Sequence, residues 1–218
     1  MQQAIRIEER EVVERLGELQ LNRSDLLEIV KAAVVGYSGC TDFDPPTARG
    51  YATWQMGVRR AREVLCPQGW IADDTGGLST VVNDELGIRI AVINTDDATG
   101  RAGSIPQNRS RKGAMCESAV TSNQLCFPEA DQWPLVSSNG VVRDLSGFVT
   151  WHLCLYIAGR DRLVVRAELS AFTEVTSGYF SAFRERLLVV GDGDWDQVGV
   201  EPDIDDLGPE FEIEVRRK

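Results

Sequence analysis

Residues 148–172 read FVTWHLCLYIAGRDRLVVRAELSAF, and this stretch decides the fold. Apolar residues recur at every second position on both sides of Gly159-Arg160-Asp161, the pattern of a two-stranded antiparallel hairpin. With that tripeptide as the turn and Ala158 opposite Arg162, residues Trp151, Leu153, Leu155 and Ile157 oppose Leu169, Ala167, Val165 and Leu163 on one wholly apolar face. The other face carries the only histidine of the chain: His152 opposite Glu168, Cys154 opposite Arg166, Thr150 opposite Ser170 and Tyr156 opposite Val164. A slip of one residue would exchange the two faces, so the alternation expects Trp151 and Leu153 in the core.

Upstream, the first third has helical spacing. Val12, Val13, Leu16 and Leu19 form one apolar stripe, and Leu26, Leu27, Ile29, Val30, Ala33 and Val34 form a second that runs to Gly36. For a third helix, Asp44 is the expected cap and Pro45 the first helical residue, with Tyr51, Trp54, Val58, Ala61 and Leu65 on its apolar face. Arg59, Arg60 and Arg62 fall mostly off that face and are expected to be solvated. Strand patterns begin at Gly76: 78–83 and 87–94 flank Asp84-Glu85-Leu86 as an earlier hairpin, and shorter strand-like pieces occupy 115–120 and 124–127. Downstream, Ser177 is expected to cap a later helix bearing Tyr179, Phe180, Phe183 and Leu187, and Phe211, Ile213 and Val215 to form a last strand. The expected fold is α+β, with N-terminal helices packed on a mostly antiparallel sheet, one later helix and an acidic C-terminal segment ending in a strand. One domain over 1–218 is expected, helical in 1–66, sheet-rich in 70–190 and acidic in 191–218.

Charge is unevenly placed. Residues 192–215 hold ten acidic side chains and no Lys or Arg; subtracting these ten from the 34 acidic residues of the chain leaves 24, against 23 basic ones. Such an asymmetry bears on partners and solubility rather than on reaction chemistry. The N-terminal residues are charged and no apolar run is long enough to cross a bilayer, so a cytoplasmic protein away from membranes is expected. Cys40, Cys66, Cys116, Cys126 and Cys154 are odd in number and lack any Cys-x-x-Cys spacing, which argues against a disulfide framework or zinc knuckle. A single histidine excludes most histidine-based metal sites, and no phosphate-binding Gly-rich loop or Gly-x-Ser-x-Gly elbow occurs.

Three constellations remain. His152 beside Glu168 could orient a proton-accepting imidazole near a Cys154 thiolate, the minimum for nucleophilic catalysis. A turn centred on Glu85 would set Asp74 across from Asp96 and Asp73 across from Asp97, four carboxylates suited to Mg²⁺ or Ca²⁺, the one class of cofactor to consider. Arg101, Arg109, Arg111 and Lys112 lie in a basic loop, 99–113, able to hold an anion or nucleic acid. Asp192-Gly-Asp-Trp-Asp alternates oxygens like a calcium loop, but Gln197 stands where the turn glycine belongs. The leading expectation is a non-enzymatic interaction or regulatory module whose acidic C-terminal region meets a protein partner with a basic surface. The alternatives are a metal-dependent hydrolase or nuclease-like enzyme using the Asp cluster, and nucleic-acid binding through the basic loop, with Arg59, Arg60 and Arg62 joining Arg109, Arg111 and Lys112 if the two elements share one face.

Overall fold

Helical and alternating periodicities separate along the chain in a computed structural model, which describes residues 3–109, 119–120, 147–160 and 162–198. The elements are β1 (Ala4–Arg6), α1 (Glu9–Glu18), α2 (Arg23–Ser38), α3 (Ala48–Leu65), β2 (Ile71–Asp73), β3 (Thr80–Asn83), β4 (Ile88–Asn94), β5 (Val149–Ala158), β6 (Val164–Thr176) and β7 (Tyr179–Val190). All seven strands join one sheet, ordered β1-β7-β6-β5-β4-β3-β2. The α+β class holds, but the sheet is mixed rather than mostly antiparallel, because β4 pairs with β5 and β1 with β7 in parallel. A hairpin loop can only return a strand antiparallel. The connection 95–148 between β4 and β5 is long enough to cross over and return in the same direction.

The three helices cover one face of the sheet. Trp151, Leu153, Leu155 and Ile157 from β5 and Val165, Ala167 and Leu169 from β6 pack there with Leu16, Leu26, Ile29, Val30, Ala33, Val58 and Leu65. The β5–β6 register is Leu153 to Leu169, Leu155 to Ala167 and Ile157 to Val165, two residues away from the expected pairing. An even shift preserves the faces while changing every cross-strand partner. Close approach of α2 to α3 depends on Gly36, where an added Cβ would stand 2.5 Å from the Ala52 carbonyl oxygen. At α1, Arg15 and, from β1, Arg6 grip Glu185 of β7. Burial pushes the Glu185 carboxyl up, but the hydrogen bonds from Arg15 and Arg6 outweigh it and hold the group below the usual glutamate range.

Several local expectations are corrected. The segment expected as a later helix is β7, and Ser177 is a turn residue rather than a cap: Ser177 and Gly178 have φ of 56° and 84° in a two-residue hairpin loop closed by Thr176 and Tyr179. Register shifts along β6–β7 place Phe180, Phe183 and Arg186 on one face at three-residue steps, which imitates helical spacing. The third helix begins at Ala48 after Thr47, and Asp44 instead closes a preceding turn by accepting from the Thr41 N–H at 2.7 Å. Thr80 pairs with Ala91, one residue off a Glu85-centred turn. Ala119 and Val120, expected in a strand, are helical, while the pieces at 124–127 and 211–215 lie outside the described residues. The short edge strands β1 and β2 have too few residues to show a period. Among the described residues no helix is long and apolar enough to cross a membrane.

Gly17 and Gly36, two of the four glycines in α1–α3, separate packing from propensity. Gly17 of α1 has nothing within 4 Å of a Cβ position. Gly17→Ala should stabilise by about 0.5–1 kcal/mol through helix propensity, whereas Gly36→Ala should destabilise by about 1–3 kcal/mol by forcing α2 from α3. Urea denaturation of the two variants measures both signs.

Candidate functional site

The face of the sheet away from the helices is polar and nevertheless buried. It carries Thr150, His152 and Cys154 from β5, Arg166, Glu168 and Ser170 from β6, and Arg186 from β7, with segment 95–109 lying over it. Phe172, Phe180, Phe183, Ile93, Cys154 and Val120 form a second apolar cluster there, with Ile105 from the covering segment packed against it.

At its centre is a buried ion pair. Glu168 Oε1 accepts from Arg186 Nε at 2.8 Å and from Ser170 Oγ at 2.5 Å; Oε2 accepts from Arg186 Nη2 at 2.6 Å and from the Gly100 N–H at 2.8 Å. Both charged side chains are fully buried. Arg186 also donates to the carbonyls of Ser104, at 2.6 Å, and Arg101, at 3.0 Å. Arg166, likewise buried, donates to the Asp97 carbonyl at 2.7 Å and to Asp192 Oδ1 at 2.5 Å. The covering segment is therefore fastened by charged side chains to the strands beneath it. Gly100, with φ of 72°, makes this possible: a Cβ would lie 2.7 Å from the Val190 carbonyl oxygen.

The first constellation is rearranged by the register. His152 faces Ser170, Glu168 faces Cys154, and Arg166 faces Tyr156, so neither the His152–Glu168 nor the Cys154–Arg166 pairing forms across the strands. The imidazole packs against Phe172 and Phe180, with centroids 5.5 and 5.1 Å away. His152, Cys154 and Glu168 are all fully buried. In this arrangement Glu168 serves as a hydrogen-bond acceptor for the fold, since both of its oxygens are already taken by two donors each.

The four aspartates do not assemble. Asp73 pairs in register with Thr80, and Thr80 with Ala91. Asp96 lies five residues beyond Ala91, a displacement of roughly 16 Å at strand rise. Asp73 accepts from the Thr75 N–H and hydroxyl, and Asp74 from Arg62 and Ser79. Asp96 accepts from the N–H groups of Ala98 and Gln107, and Asp97 meets Arg101 at 3.4 Å. Among the described residues no group of three or more His, Cys, Asp or Glu side chains is placed to hold a metal ion.

The basic residues divide between two faces. Arg59, Arg60 and Arg62 sit on α3 and pair with Glu63, Glu28 and Asp74, while Arg101 and Arg109 belong to the segment on the opposite side of the sheet. They do not form one surface; Arg111 and Lys112 lie outside the described residues. Arg109 donates to the Thr95 and Ile157 carbonyls. The start of the acidic segment is folded back: Asp192 bridges Arg166 and Arg101, Asp194 accepts from the Gly191 N–H, and Asp196 pairs with Arg162. The calcium-loop resemblance is thereby accounted for by local pairing. Arg166 and, to a lesser degree, Arg101 hold the Asp192 carboxyl below the usual aspartate range.

The helical spacing of 179–187 hides Arg186 as a partner of Glu168, and the two-residue register difference sets Arg166 opposite Tyr156 rather than Cys154. A charged residue in the middle of a long apolar strand pattern was the available signal that a buried pair was needed. Comparison with family models, curated proteins and solved structures yields no match.

Removing one member of a buried pair strands the other. Glu168→Ala should destabilise by about 3–5 kcal/mol, and adding Arg186→Met should recover part of that loss because the uncompensated charge is removed. Denaturant titration of the single and double variants reads both; a single-variant loss below about 1 kcal/mol would contradict the clamp.

Proposed function

We propose that this chain is a non-enzymatic interaction module whose acidic C-terminal region docks a protein with a basic surface. The observation that carries this reading is the anchoring of the segment's first turn. Asp192 is held between buried Arg166 and Arg101, and Asp196 by Arg162. The seven further carboxylates between Glu201 and Glu214 thus follow a fixed point on the body rather than a free linker. Clustered carboxylates attract a basic surface over roughly the Debye length, about 8 Å at physiological ionic strength. The side chains that would otherwise suggest catalysis, Glu168 foremost, are engaged in holding the fold.

The metal-dependent alternative needs Asp73, Asp74, Asp96 and Asp97 in one place, and the strand register sets the two pairs apart. A nucleic-acid surface combining α3 with the basic loop would have to span both faces of the sheet.

Truncation after Gly191 would strip Asp192 from Arg166, so the informative truncation ends at Val198. Affinity capture from the native host, followed by binding of the recovered protein in purified form, compares this chain with the full one. A basic partner should bind the full chain alone and be released as salt is raised. Equal binding to both chains overturns the proposal.

A further inference from the structure

Two arginines stand against one aromatic ring at the margin of the buried polar face, and a third is tied to them through a shared aspartate. Arg166 lies directly across from Tyr156 in the β5–β6 register, and its Cζ stands 4.6 Å from the ring centroid. Arg109 places its Cζ 5.6 Å from the same centroid. Arg101 joins the group through Asp192, whose Oδ1 and Oδ2 accept from Arg166 Nη1 at 2.5 Å and from Arg101 Nε at 2.9 Å. Asp192 thus bridges two guanidinium groups through charge-assisted hydrogen bonds, one to each of its oxygens.

The charges around this ring are unequal. Arg109 is held by main-chain carbonyls. The carboxylates that meet the other two are Asp192, half-exposed, and Asp97, which is mostly exposed and 3.4 Å from Arg101. Among the described residues these three cations are met by two carboxylates, both with ready access to water. Arg166 is 2% exposed, and its Nε has no acceptor among the described residues. A buried guanidinium must keep an anionic partner, but that partner can be exchanged. Asp192 can return to solvent at small cost, since half of its side chain is already there.

We propose that Arg101, Arg109 and Arg166 form a binding site for a phosphate-type oxyanion, which Asp192 occupies in the resting protein. A tetrahedral dianion carries more charge than a carboxylate and presents more oxygens than Asp192 does, so it suits a cluster of three arginines better than a single carboxylate. Binding releases Asp192 from the sheet. Asp192 is also the anchor on which the docking reading rests, so oxyanion binding would free that anchor; failure of the oxyanion site would leave the docking reading standing.

Inorganic phosphate is the probe, titrated by calorimetry and by thermal unfolding at constant ionic strength, with acetate as the carboxylate control. Asp192→Asn removes the internal competitor and should tighten phosphate binding about tenfold, with Arg101→Gln in the same chain abolishing the gain. Acetate should give a smaller shift than phosphate. Circular dichroism reports whether Asp192→Asn folds. If it does not, Arg101→Gln alone carries the test, because Arg101 is half-exposed and its loss should remove the stabilisation by millimolar phosphate expected of the native chain. Phosphate affinity unchanged by Asp192→Asn, stabilisation unchanged by Arg101→Gln, an equal response to acetate, or no response to phosphate in any chain would each overturn the site.

Discussion

The Glu168–Arg186 pair is sealed inside the protein, and a charge pair in that position persists only when the remaining donors and acceptors of both groups are satisfied. Desolvating the two ions costs several kcal/mol each, so their mutual attraction alone is a poor source of stability. The added partners change the balance. Glu168 takes the Gly100 N–H and the Ser170 hydroxyl, and Arg186 takes the carbonyls of Ser104 and Arg101. These are groups of an irregular segment that would otherwise have to find hydrogen bonds in water. The ion pair and its cover are therefore mutually dependent: the segment keeps water out, and the charges hold the segment down.

From that constraint follows the division of the sheet into two unlike faces. The helical face is apolar and tolerates an even register shift, since any such shift sets large aliphatic groups against one another. The opposite face has particular donors and acceptors in particular places, and the irregularities of β7 bring Arg186 to the side that bears Glu168. Arg166 extends the same logic outward. Its charge reaches Asp192, so the buried network ends on the first carboxylate of the acidic segment and connects the interior to the most charged part of the chain.

How much of this was legible depended on whether alternation was regular. Trp151, Leu153, Leu155 and Ile157 announce their face through a strict period of two, and the structure places them under the helices. The β5–β6 register was harder, because Gly159-Arg160-Asp161 signals a turn in the sequence without fixing its length, and a two-residue difference sets Ser170 rather than Glu168 opposite His152. In β7 the bulges broke the period and put Phe180, Phe183 and Arg186 on one face at three-residue steps, which imitates a helix; Ser177-Gly178, a pair suited to positive φ, was the local sign of a hairpin instead. The aspartates misled for a different reason. Asp73 and Asp74 looked close to Asp96 and Asp97 only if one hairpin continued through 74–79, whereas the chain turns there to add β2 at the edge.

Hydrogen exchange at the Gly100 amide tests the central claim most directly, because that N–H donates to Glu168 Oε2 from a segment without regular secondary structure. If the ion pair clamps the segment, this amide should exchange with an opening free energy close to that of the β5 and β6 amides beneath it. Exchange at the rate of an exposed loop amide, while β5 and β6 remain protected, would contradict the account.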